Sequence, residues 1–259
     1  MKILLTGHRG FIGGHMLLRL QAEGHEVTTY EWGDPYPQIS GHNWCIHLGA
    51  ISSTTERDIE KVLRQNLDFS IQLYEDCKSV RVKFQYASSA SVYGLVSTFK
   101  EDAPVDPRTP YAWSKYLFER YVQNNPSSFT AQGFRYFNVY GPNGEEHKGN
   151  QASPFMQFQQ QAKTLGRIEV FENSEKYCRD FIHVGRVVDT HMKFLNVKES
   201  GVWNVGTGQP RSFYSVAQLF DVPIDVVPMP AELKNSYQAY TCADTTKLEN
   251  TLKASYSSS

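Results

Sequence analysis

Short apolar runs alternate with stretches of helical spacing along most of the chain. Lys2-Ile3-Leu4-Leu5-Thr6 is an apolar run stopped by a Gly-rich turn, the pattern of a strand buried on both faces. Helical spacing follows from Phe11 to Glu23: Ile12, Met16 and Leu20 share a face, and Gly24 is placed to end the helix. Residues 26–31, Glu-Val-Thr-Thr-Tyr-Glu, read as a second strand that ends in an acid. Residues 32–43, rich in Gly, Pro and Asn, read as loop. Trp44–Leu48 predicts a strand, Glu56–Lys78 a long helix, and Lys83–Ala87 a strand running into Ser88-Ser89. A Pro-rich connection leads to a helix starting at Pro110 with Thr109 as its cap, since a proline in the first turn lacks only an N–H that would go unpaired anyway. Phe129–Asn138 carries another strand. Strands alternating with helices predict an α/β fold, a parallel sheet covered on both faces.

After Gly141-Pro142-Asn143-Gly144 the character changes: residues 143–153 are polar, and a helix over 154–165 and short strands follow. Val202-Trp203-Asn204-Val205 reads as a late strand returning to the sheet. The expected organisation is a nucleotide-binding domain over 1–141, joined by 180–206, with a small C-terminal α/β substrate lobe from 142–179 and 207–259.

Composition narrows the function. The 259 residues carry 26 Lys plus Arg against 27 Asp plus Glu, a net charge of −1. That balance excludes a general nucleic-acid binder and a polybasic membrane anchor. No apolar run approaches the ~20 residues that span a bilayer, and the N-terminus turns polar too early for a signal peptide. Cys45, Cys77, Cys178 and Cys242 show no C-x-x-C spacing, so reduced thiols in a cytoplasmic protein are expected, with no metal site.

Three motifs carry chemistry. Gly7-His8-Arg9-Gly10-Phe11-Ile12-Gly13 follows a strand and opens a helix. Glycines there let backbone approach a pyrophosphate, and the helix N-terminus supplies N–H groups. Glu31, eighteen residues past Gly13, sits where an acid bonds the adenosine ribose and favours NAD; Arg9 in the turn is suited to a 2′-phosphate and favours NADP. The two signals conflict. In Tyr111-Ala112-Trp113-Ser114-Lys115 the phenol and the ammonium share a helix face, where the cation stabilises a phenolate and can reach a nicotinamide ribose. Ser88-Ser89-Ala90-Ser91 lies at a strand's C-terminal end, where parallel sheets bind ligands, and places the Ser89 hydroxyl to support Tyr111. His191 among apolar helix neighbours reads as structural, and Trp203 as core.

Together with Arg135-Tyr136-Phe137-Asn138-Val139-Tyr140-Gly141-Pro142, these motifs resemble the extended short-chain dehydrogenase/reductases that modify nucleotide sugars, on a doubly wound Rossmann sheet. Within that family, His47-Leu48-Gly49-Ala50-Ile51-Ser52, Glu146-His147-Lys148-Gly149-Asn150-Gln151-Ala152-Ser153, Phe171-Glu172-Asn173, Arg179-Asp180-Phe181 and Lys234-Asn235-Ser236-Tyr237-Gln238-Ala239-Tyr240 are most similar to the ADP-heptose 6-epimerase branch. The resemblance implies NAD or NADP as cofactor, a nucleotide-sugar substrate, and a homo-oligomer. It implies Tyr111 and Lys148 as two acid/base groups on opposite sides of a carbinol, with Lys115 tuning Tyr111 and Ser89 orienting the hydroxyl. It adds Phe11, Ile12, Leu48, Gly49, Ala50 and Asn66 to the cofactor site, and Asn138, Phe171, Arg179 and Tyr237 to the substrate site. Read without the resemblance, Lys148 is a loop lysine.

Two departures stand out. Between Glu31 and Cys45 there is room only for a loop, so one edge strand and its helix are expected to be missing. The chain also stops soon after Leu248, where a closing helix is expected to be absent. A 4-epimerase or an epimerase-reductase on the same scaffold, and a catalytically silent cofactor-binding regulator, are the competing readings.

Overall fold

The computed structural model describes residues 1–126, 128–230 and 238–257. Six parallel strands form the central sheet in the order β10-β5-β4-β3-β1-β2. They are β1 (Lys2–Thr6), β2 (Glu26–Tyr30), β3 (Trp44–His47), β4 (Lys83–Ser89), β5 (Ala131–Tyr136) and β10 (Gly201–Val205). Strand alternation divides the core. Ile3, Leu5, Trp44 and Ile46 face α1 (Phe11–Ala22) and α6 (Val184–Phe194) through Met16, Leu20, Val188 and Met192. Leu4, Cys45, Phe84 and Tyr86 face α3 (Phe69–Ser79) and α4 (Pro110–Asn124) through Leu73, Tyr74, Phe118 and Val122. Helices on both faces make this a doubly wound α/β fold.

The sheet ends at β2, so the edge unit expected to be missing is missing. The 31–43 loop covers the gap instead. Ile39 is buried there, and Tyr36 donates its phenol proton to Asp76 of α3. Tyr30 stacks on Phe69 with centroids 5.3 Å apart, and Trp32 meets the same ring edge-on at 5.5 Å.

Three boundaries differ from the sequence pattern. The long helix begins at Ile59, not Glu56, because Asp58 caps it by accepting the Lys61 N–H at 2.9 Å. It runs as α2 (Ile59–Leu63), a π turn (Arg64–Asp68) and α3. The strand expected over 129–138 is two strands: β5 stays in the sheet, and β6 (Asn138–Tyr140) leaves it at Phe137 to pair with β9 (Phe181–His183). A closing helix, α8 (Thr246–Ser257), is present after all, because Leu248 and Leu252 pack on the Trp203 cluster of β10.

Outside the sheet, α5 (Pro154–Leu165) starts at its Ser153 cap, and β7 (Ile168–Phe171) pairs with β12 (Ile224–Val227). β8 (Cys178–Arg179) pairs with β11 (Arg211–Ser212), which leads into α7 (Phe213–Ala217). Asp180 binds this part to the sheet: its buried carboxylate accepts N–H groups of Thr207 (2.7 Å), Gly208 (2.8 Å) and Ala243 (3.0 Å). Among the described residues no helix is long and apolar enough to cross a membrane.

Candidate active site

The C-terminal ends of β1, β3 and β4 meet the N-termini of α1 and α4, the place where open parallel sheets bind ligands. At the first of these the backbone is crowded. A Cβ on Gly7, whose φ is +76°, would stand 2.4 Å from the Gly49 nitrogen, and one on Gly13 would stand 1.9 Å from the Gly7 carbonyl oxygen. Only glycines let the turn fold this tightly against Leu48-Gly49. Gly10, the N-cap of α1, makes no side-chain cap bond, which suits N–H groups that meet an anion. Ile12 and Leu48 turn their side chains into the core, so only their backbone faces the turn.

Glu31 directly follows β2 beside this cradle. Its carboxylate accepts the Arg9 N–H at 2.6 Å and lies 3.3 Å from His8 Nδ1. Thr6, Gly7, Tyr30, Glu31, Trp32, Gly49, Ala50, Ile51 and Phe69 line a pocket of about 130 Å³. The cradle, the acid and the aromatic-walled pocket together fit a dinucleotide.

A chain of oriented hydrogen bonds supports the turn from below. Ser70 donates to the Asn66 carbonyl (2.6 Å), so its oxygen accepts from His47 Nε2 (2.8 Å). His47 Nδ1 then accepts from Thr6 (2.7 Å), whose oxygen receives the Gly49 N–H (3.2 Å). Burial drives His47 down to about 3, helped by the Lys115 charge, so it is neutral as this order requires. Asn66 is 1 % exposed and spends its amide on Ile51 N–H (2.8 Å), the Ile51 carbonyl (2.9 Å) and Ser114 (3.2 Å). It shapes the 49–51 loop from beneath, and the π turn is what aims it there.

Tyr111 and Lys115 stand one turn apart on α4, and the Lys115 ammonium is 5.9 Å from the Tyr111 ring centre. Lys115 is buried, donates to the Ala87 carbonyl at 2.9 Å, and is pulled down to about 8 by burial, with Glu119 opposing. Burial pushes the Tyr111 phenol up, against a hydrogen bond with Ser89. That corrects the expectation that the neighbouring cation lowers the Tyr111 value: in this structure desolvation wins. Ser89 also accepts from Ser91 N–H (3.1 Å) and the Ser91 hydroxyl (2.9 Å), which fixes its oxygen at the end of β4.

Lys148 lies in a short 3₁₀ turn (Glu146–Gln151), half-buried, with its amine 4.5 Å over the Phe11 ring. Burial lowers its proton affinity, against the pull of Glu145. Asn138 is exposed at the start of β6, its N–H paired with the Asp180 carbonyl at 3.0 Å. Phe171 lines a separate pocket of about 510 Å³ with Phe158, Tyr177 and Phe213, and the buried Arg179 guanidinium lies 5.5 Å over that Phe213 ring. Tyr237 lies outside the described residues.

A buried ion pair went unread in the sequence. Arg135 meets Glu119 at 2.6 Å, Glu119 accepts from Ser88, and Arg135 sits 4.9 Å over the Tyr93 ring. Glu119 is one helical turn past Lys115, a spacing that was available as a signal. His191 and Trp203 are core residues as expected, each fully buried. Among the described residues no group of three or more His, Cys, Asp or Glu side chains is disposed to hold a metal ion.

A profile of the NAD dependent epimerase/dehydratase family matches residues 34–206. The chain belongs to that family. Its cofactor is NAD or NADP, which the Gly-rich cradle and Glu31 fit. Among solved structures, this family member is similar to ADP-L-glycero-D-manno-heptose-6-epimerase of Helicobacter pylori, at 25% identity and TM-score 0.86 over 97% of this chain and 90% of that one. It is similar to an NAD dependent NDP-hexosamine 5,6-dehydratase of tunicamycin biosynthesis at 26% and 0.82, over 97% and 91%. It shares the fold of UDP-N-acetylglucosamine 4-epimerase from Methanobrevibacter ruminantium at 20% and 0.85, over 96% and 91%.

Proposed function

We propose that the protein is a nucleotide-sugar epimerase that inverts C6 of an ADP-heptose through a transient ketone. The observation that carries this reading is the pair of separately mounted acid/base groups. Tyr111 opens α4 with Ser89 hydrogen-bonded to it, and the half-buried Lys148 amine stands over Phe11 at the nucleotide turn. Inversion needs a proton acceptor on one face of the carbinol and a proton donor on the other. A cofactor held at the Gly7–Gly13 turn and Glu31 would supply reversible hydride exchange at the carbinol carbon.

Ser89 holds the substrate hydroxyl against Tyr111. Tyr111 acts from its phenolate form, which the charged Lys115 favours, and becomes the neutral phenol as it takes the hydroxyl proton. Lys148 delivers a proton to the ketone oxygen after the sugar has turned over. The Phe171 pocket seats the nucleotide base, with Arg179 and Asn138 beside the diphosphate and sugar. Glu31 supports NAD over NADP, because a carboxylate fixed by the Arg9 N–H repels a 2′-phosphate. Domain limits of 1–141 with 180–206, and 142–179 with 207–259, would suit this division of labour except at α8, which packs on β10 of the sheet.

The test is proton NMR of ADP-D-glycero-D-manno-heptose with purified protein, alone and with NAD or NADP. The L-glycero epimer is the expected product. No epimer from folded, cofactor-binding protein refutes the heptose assignment. A panel of UDP- and ADP-sugars then separates 4-epimerisation, dehydration and net reduction, the last read as nicotinamide absorbance consumed.

A further inference from the structure

One buried carboxylate holds the segment between β6 and α5. Glu145 is 1 % exposed. Its Oε1 accepts the Gly141 N–H at 3.1 Å and the Ser153 hydroxyl at 2.9 Å, and its Oε2 accepts the Ser153 N–H at 2.6 Å. Gly141 directly follows β6, and Ser153 is the cap of α5. A single side chain therefore ties both ends of a loop whose middle is the turn bearing Lys148. The Lys148 N–H also donates to the Glu145 carbonyl at 2.9 Å.

Other ties on this loop are more exposed. His15 Nε2 reaches the Pro142 carbonyl at 2.8 Å, and the Gln151 amide reaches Ser53 and Thr55 at 2.9 and 2.5 Å. Water competes for those bonds. The Glu145 bonds are dry and charge-assisted, the strong kind. All three of its partner groups lie within 141–153, so losing the carboxylate opens the loop and leaves the sheet untouched.

We infer that Glu145 is a positioning residue: its carboxylate clasps the ends of the 141–153 loop and so holds the Lys148 amine over Phe11 at the mouth of the nucleotide cleft. The catalytic part of this inference rests on the reading of Lys148 as an acid/base group. The geometric part does not. In Glu145→Gln one of the three donors faces an amide N–H₂ in place of an oxygen, and the clasp fails at that point.

The test uses the full chain and the variants E145Q, E145D and K148M. Competitive acetylation with acetic anhydride, read by peptide mass spectrometry against pH, reports each lysine. Position is taken from the high-pH plateau, because removing the Glu145 charge also lowers the proton affinity of Lys148. The exposed Lys198 and the buried Lys115 serve as references. In E145Q the Lys148 plateau rate rises about tenfold, equivalent to ~1.4 kcal/mol, while Lys115 is unchanged. Epimerisation kcat falls by a similar factor with KM little altered. E145D, charged but shorter, falls between. A wild-type Lys148 plateau in E145Q overturns the clasp. If E145Q fails to fold, Ser153→Ala removes one of the three Glu145 bonds together with the α5 cap bond from the Met156 N–H, and an unchanged Lys148 rate there overturns the clasp equally. A K148M protein that epimerises at the wild-type rate defeats the acid/base reading and leaves the labelling result to judge the clasp alone.

Discussion

Acidification should unfold this protein through two buried histidines. His191 donates from Nδ1 to Gln85 Oε1 at 2.7 Å, because the Gln85 amide nitrogen is already spent on Gln132 at 3.0 Å. Its Nε2 accepts from the Tyr136 hydroxyl at 2.5 Å. Burial drives both His191 and His47 from 6.5 down to about 3. Between those values the unfolded chain binds a proton that the native state refuses, so stability is full above the unfolded value and lost as pH falls toward the folded one. From pH 7 to 5 each histidine withdraws ~2 kcal/mol, at ~1.4 kcal/mol per pH unit. The perturbation that isolates one of them is His191→Gln, whose carbonyl still accepts from Tyr136 but cannot titrate. The assay is equilibrium urea unfolding at pH 7 and pH 5, followed by far-UV circular dichroism. The variant starts ~1–3 kcal/mol less stable because Gln85 loses a donor. It should then lose about 2 kcal/mol less than wild type over the interval. Parallel losses in the two proteins would refute the claim that His191 is held neutral.

Tyr111→Phe should cut kcat by ~10²–10⁴-fold, with cofactor still bound as judged by nicotinamide fluorescence. On the proposed cofactor pose, Glu31→Gln removes the charge that would face a 2′-phosphate, so the ratio of NADP to NAD dissociation constants should fall at least ~10-fold, or ~1.4 kcal/mol; titration of each cofactor against intrinsic fluorescence reads it. Glu119→Gln strands the buried Arg135 charge and should cost ~3–5 kcal/mol, seen as a lower urea midpoint. Lys115, held near 8 by burial, loses its charge above that pH. Turnover that needs a charged Lys115 should therefore decline as pH rises through 8, and a flat rate from pH 7 to 9 would contradict that role.

How far the sequence reaches can be seen at particular residues. Apolar runs such as Ile3-Leu4-Leu5 announce buried strands because alternate side chains find helices on opposite faces. The first turn of α4 is legible because Thr109 and Pro110 each satisfy a local rule, and the Ala112 N–H is indeed bonded to Thr109 at 3.1 Å. The π turn at 64–68 is not legible, since one extra residue in a helix leaves the apolar spacing almost unchanged. Glu119 and His47 look like ordinary polar residues until partners from other segments arrive, and Glu145 looks like one until its own loop folds back on it. A buried charge has no local signature, because its cost and its compensation are both tertiary.

The missing edge unit joins these two lessons. Its absence is countable, because the stretch from Glu31 to Cys45 is too short for a strand and a helix. What replaces it is not countable. Without a strand outside it, β2 would leave the outer flank of Phe69 open to water. Tyr30, Trp32 and Tyr36 close on that ring from three directions, within 5.3 to 6.2 Å of its centroid. Such edge-on and stacked contacts are worth ~0.5–1.5 kcal/mol each beyond the area they bury. The same cluster ends at Glu31 and walls the pocket beside the Gly-rich turn with Trp32, itself 47 % exposed. An aromatic lip from the end of β2 and the loop after it thus stands where the missing strand and helix would lie. Trp32→Ala should therefore weaken dinucleotide binding more than it weakens the fold, since the ring has a wet face to give to the ligand and only one edge to give to Phe69.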